Sequence, residues 1–102
     1  MADAPLQPAR WDETLELEEL IESSGLAQEE VLELVELGVL ECDGGATRLT
    51  FVSHTLIQAR RAARLRDTFG LNTPGMALAL TYLERIEALE QRLRELQCLL
   101  PR

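Results

Sequence analysis

Residues 17–38 read LEELIESSGLAQEEVLELVELG, and this stretch decides the fold. Leu17, Leu20 and Ile21 recur at helical spacing, and Ser23-Ser24-Gly25 stops the run. Leu26 leads into a second helix. Gln28-Glu29-Glu30 opens that helix with acids in its first turn, where the helix dipole favours negative charge. Val31, Leu34, Val35 and Leu37 form its apolar stripe, and Gly38 is placed to cap its end. Helix, tight turn, helix and glycine stop make a helix-turn-helix pattern.

Working outward, residues 1–10 hold Pro5 and Pro8 and read as a flexible lead-in. Trp11–Leu17 alternates loosely and fits a short strand. Downstream, Val39–Cys42, the turn Asp43-Gly44-Gly45 and Thr47–Val52 read as a β-hairpin, a small wing. Ser53 is the expected N-cap of a third helix reaching about Phe69. Gly70-Leu71-Asn72 breaks it. Thr73-Pro74 starts the last helix, with Thr as N-cap and Pro at the first position. The expected organisation is a lead-in over 1–10, a winged helix-turn-helix domain over 11–72 and a coiled-coil helix over 73–102. The fold class is mainly α.

That last helix carries Ala79, Tyr82, Ile86, Leu89, Leu93, Leu96 and Leu100 at alternating steps of three and four, a heptad seam. Arg and Glu flank it. A second stripe, Met76, Leu80 and Leu83, lies on another face near the helix start. A leucine seam running toward the chain end has little intrachain surface to cover it, so Tyr82, Ile86, Leu89, Leu93, Leu96 and Leu100 are expected to pair with a second copy.

The 102 residues match the size of one domain. Aromatic residues are only 4%, so Leu, Val, Ile and Ala must build the core. All ten basic residues are arginine, against 18 acids, for a net charge of -8. The charge is divided unevenly. Residues 1–43 hold one arginine and thirteen acids, and residues 44–102 hold nine arginines and five acids. The halves are therefore expected to face different neighbours. No apolar run approaches the ~18 residues of a membrane span, and MADAPLQPAR lacks the pattern of a secretory signal. Cys42 and Cys98 are far apart, which fits free thiols in a cytoplasmic protein. One histidine and two cysteines make a zinc site improbable, and no cofactor is expected.

An enzyme is not expected. His54 is the lone imidazole, and its neighbours Ser53 and Thr55 cannot form a triad with it, because adjacent helical residues do not face each other. Gly44-Gly45 belongs to a turn and not to a phosphate loop. A helix-turn-helix raises DNA binding, since the second helix of such motifs enters the major groove. Here that helix carries Glu29, Glu30, Glu33 and Glu36 and no base. Close approach to phosphates would add like-charge repulsion, so direct nucleic-acid binding is disfavoured. The same acids fit a basic protein partner, which would relieve their mutual repulsion and associate faster by steering. Arg60, Arg61 and Arg64, with Arg66 on another face, are either a solvated face paired to the acidic half or a secondary contact.

In order of elements the chain is similar to MerR-type regulators, and more closely it resembles the chaperone modulatory protein CbpM family. The residues that carry the resemblance are Leu37-Gly38-Val39-Leu40-Glu41, Phe51 through His54, Arg61-Ala62-Ala63-Arg64-Leu65-Arg66, Leu71, Pro74-Gly75, Ala77, Ala79-Leu80-Thr81 and the trailing leucine-rich coil. It spans about residues 14–98. The resemblance implies a homodimeric chaperone modulator that binds the J-domain of a CbpA-type J-domain co-chaperone. The resemblance implies inhibition of the partner's stimulation of Hsp70, with an effect on the partner's DNA binding as well. J-domains present a basic helix and an HPD loop to Hsp70. Glu29, Glu30, Glu33 and Glu36 are the expected partner-binding residues on charge grounds. The alternatives are a MerR-like DNA-binding transcriptional regulator and a structural adaptor built around the coil.

Overall fold

The computed structural model describes residues 14–44 and 48–101. Its elements are β1 (Thr14–Glu16), α1 (Leu17–Ser24), α2 (Gln28–Glu36), β2 (Thr50–Val52), α3 (Ser53–Phe69) and α4 (Thr73–Leu99). The expected lead-in and the first residues of the expected N-terminal strand lie outside the described residues.

The helix-turn-helix forms as the sequence predicts, and its hydrogen bonds explain why. At the start of α1, the Glu19 carboxylate accepts from the Glu16 backbone N–H at 2.9 Å. Gly25 ends α1 at φ 88, where a side chain would be strained. The buried Ser24 hydroxyl accepts from Leu26 N–H and shapes the turn. Glu30 then reaches back to accept from Ala27 N–H at 2.9 Å, satisfying a free donor at the start of α2. Gly38 closes α2 at φ 81. Gly38 N–H donates to Val35 O and Val39 N–H to Leu34 O, both at 3.0 Å, a Schellman arrangement.

The wing differs from the expected hairpin. Val39–Cys42 is not a strand. β2 instead pairs antiparallel with β1, setting Thr14 opposite Val52, Leu15 opposite Phe51 and Glu16 opposite Thr50. The reason lies at the end of α2. Val39 N–H and Leu40 N–H both donate to Leu34 O, so these residues terminate the helix and cannot run as a ladder. Residues 45–47 of the expected hairpin lie outside the described residues; beside them Asp43 and Thr50 form one bridge, exchanging bonds of 2.8 and 2.9 Å. Phe51, 1% exposed, anchors β2 in the core.

Both expected caps shift by one residue. Val52 is the N-cap of α3, because β2 runs into the helix without a spacer, and Ser53 makes no capping bond. Asn72 is the N-cap of α4, its side-chain oxygen accepting from Gly75 N–H at 2.8 Å. Thr73 and Pro74 are already inside that helix.

The core joins Leu20 of α1, Val31 and Leu34 of α2, Phe51 and the start of α4. α3 runs through its middle. Its inward face is Thr55, Gln58, Ala59, Ala62 and Ala63, and the three alanines let α1 and α4 approach closely from either side. Of the second stripe of α4, Met76 and Leu80 enter this core and are fully buried, while Leu83 is half-buried. Leu37, expected in the apolar stripe of α2, is 49% exposed, because it lies beyond the last helical turn.

Candidate protein-binding surface

Three features of the sequence were expected to contact partners, and the fold gives each a different standing. The acids of α2 come first. Val31 and Leu34 are buried, which turns the Glu side of the helix outward. Glu29 and Glu36 are exposed and Glu33 is half-buried. None of the three forms an ion pair or side-chain hydrogen bond among the described residues. Glu30 differs. It caps the helix start and also pairs with Arg66 at 2.5 Å. The outward acidic surface is thus Glu29, Glu33 and Glu36, with Glu30 largely committed inside the chain.

The arginines of α3 come second. Arg66 also donates to Gly25 O at 3.1 Å and to Asp67 at 3.0 Å. One guanidinium therefore ties α3 to the turn between α1 and α2 and to the start of α2. The Asp67 hydrogen bond and the Glu30 charge raise its pKa above the usual arginine value. Arg60 donates to Ser23 O at 3.1 Å. Arg61 forms a two-pronged ion pair with Glu87 of α4. That pairing raises the Arg61 pKa and holds the Glu87 carboxyl below its usual range. Arg64 is exposed, with no partner among the described residues. Most of the cluster thus holds the molecule together. Nothing local in the sequence signals the links to Ser23, Gly25, Glu30 and Glu87, which lie 26 to 41 residues away.

The seam comes third. Tyr82, Ile86, Leu89, Leu93, Leu96 and Leu100 are 49 to 66% exposed. Leu37 and Leu78, 49% and 59% exposed, extend the apolar surface toward the body. Together they line a groove with Tyr82 and Arg85.

His54 is exposed, Cys42 and Cys98 are free thiols, and no group that could hold a metal occurs among the described residues. No helix among the described residues is long and apolar enough to cross a membrane.

A helix-turn-helix body with an acidic second helix and a long terminal helix places the chain among MerR-like proteins. The model of the MerR HTH family regulatory protein matches residues 15–98. The chaperone modulatory protein CbpM of Citrobacter koseri is 38% identical over 82 residues, covering 79% of this chain and 81% of that protein. The protein of the same name from Coxiella burnetii is 38% identical over 84 residues, 81% of this chain and 79% of the relative. The one from Escherichia coli is 38% identical over 85 residues, 82% and 84%. The chain belongs to the chaperone modulatory protein CbpM family, within the MerR-like helix-turn-helix proteins. Its relatives are named for modulation and not for a catalysed reaction.

Proposed function

We propose that this protein binds the J-domain of a CbpA-type J-domain co-chaperone through the acidic face of α2 and holds it away from Hsp70. The observation that carries the reading is the outward surface of Glu29, Glu33 and Glu36, without ion pairs among the described residues, on the helix that would otherwise enter a DNA groove. A J-domain's basic helix complements that surface, and a J-domain occupied there is sterically withheld from Hsp70. Glu30 contributes little to this surface, since its carboxylate is already paired with Arg66. The chain works as a homodimer through the α4 seam, because covering half-exposed leucines contributes on the order of 1 kcal/mol each.

DNA regulation is the weaker reading. Arg60 and Arg61 are engaged with Ser23 O and Glu87, and α2 has the wrong sign for phosphate. The partner's own DNA binding is reduced if its J-domain and DNA contacts are sterically linked.

Calorimetric titration of a purified CbpA-type J-domain into the protein tests the reading. Binding should weaken as salt rises, since exposed charges are screened beyond a Debye length of ~10 Å at 0.1 M. Reversing Glu33 and Glu36 to Arg should lower the affinity about tenfold at low salt. Absence of binding at every salt would refute it.

A further inference from the structure

A second constellation lies between α3 and α4, beside the end of α2. It is a cleft of about 850 Å³. Gln58, only 5% exposed, lines it together with Glu41, Ile57, Arg61, Glu84 and Glu87. His54 stands at its edge. The Gln58 amide nitrogen donates to the Glu84 carboxylate. The Gln58 Oε1 accepts no hydrogen bond among the described residues. Because Gln58 lines an open cleft, this acceptor is free to take a hydrogen bond from an incoming donor. The charge of the cleft is unbalanced in the same sense. Arg61 bonds Glu87 and its charge also acts on Glu84, so one cation faces the three carboxylates Glu41, Glu84 and Glu87 of the lining. Ile57, 58% exposed, adds an apolar wall.

The group that fits is a cation rich in donors and carried on an apolar stem. A guanidinium has five N–H donors in a planar fork, and an ammonium has three. We propose that this cleft receives an arginine or lysine side chain from the partner's basic helix, with Gln58 Oε1 and the Glu84 carboxylate accepting its hydrogen bonds and Ile57 covering its stem. The proposal rests on the J-domain reading above and adds to it a specific grip. Gly38 and Val39 also line the cleft, and they lie two and three residues past Glu36, so the end of α2 leads to its mouth. Thr81, Glu84 and Glu87 lie on the side of α4 opposite Tyr82, Ile86 and Leu89, given about 100° per residue. A dimer through the seam therefore leaves the cleft open.

The Gln58 side-chain amide gives a direct NMR reporter. It should shift on addition of the purified J-domain, and also with N-acetyl-arginine methyl ester at millimolar concentration. In Glu84→Gln the new amide oxygen still accepts from Gln58, so the fold is kept, but the charge is gone. This variant should bind the J-domain about fivefold to tenfold more weakly and should lose the response to the ester. J-domain binding with Gln58 unmoved and Glu84→Gln at wild-type affinity would overturn the cleft proposal and leave the α2 reading standing. An ester-induced shift abolished by Glu84→Gln, without any J-domain binding, would support the cleft as a cation receptor and remove the J-domain reading. A Gln58 amide silent to both probes, together with no J-domain binding by calorimetry, would overturn both.

Discussion

The two halves of α4 are built from the same kind of residue and end in opposite surroundings. Met76 and Leu80, near its start, are fully buried against the body. Leu89, Leu93 and Leu96, further along, are 53 to 61% exposed. Hydropathy does not separate them. What lies opposite does: α2 and α3 face the first turns, and nothing among the described residues faces the last ones. The first half of α4 completes a fold, and the second half offers a surface.

Truncating one leucine in each half should expose this difference most strongly. Leu80→Ala removes a fully buried side chain and should lower folding stability by about 2–5 kcal/mol in urea denaturation. Leu93→Ala should change the stability of the dilute protein by less than ~0.5 kcal/mol and weaken self-association instead. Equal losses from both would mean that the distal helix is packed within its own chain.

A smaller effect tests what holds the body together. Arg66→Ala removes the tie to Gly25 O, Glu30 and Asp67 and should cost about 1–2 kcal/mol. The loss should be read by thermal unfolding, with helicity kept. An unchanged melting temperature would show that the tie contributes nothing.

The smallest effect joins the two regions, at Arg61 and Glu87. The Glu87 pKa is lowered in the folded state, so its stabilising share is present above the ordinary carboxylate pKa. It is lost as pH falls through the lowered folded value. Arg61→Gln should reduce the stability lost on acidification below about pH 4.5. A wild-type acid limb in that variant would remove the pair from the ledger of stabilising contacts.

How much of this was legible in the sequence follows from range. The helix-turn-helix is written locally, in the period of Leu20, Val31 and Leu34 and in the glycines that end each helix. The seam of α4 is likewise a matter of spacing. Strand pairing was not legible: whether Thr50–Val52 pairs with 39–42 or with Thr14–Glu16 depends on how α2 ends, and the Leu34 carbonyl decides it. The arginines of α3 could be placed on faces, but not given partners. For the same reason the cleft went unseen, since Gln58 and Glu84 lie 26 residues apart and only the packing of α3 on α4 joins them. The acidic face of α2 was visible throughout, and the fold removes only Glu30 from it.

Sedimentation of this protein with and without a purified CbpA-type J-domain, alongside a Leu89→Glu, Leu93→Glu variant, reaches both regions at once. Wild type should sediment as a dimer alone and as two copies with two J-domains when mixed. The variant should sediment as a monomer and still take up one J-domain. A J-domain that leaves the sedimentation of both proteins unchanged at low salt would contradict the account.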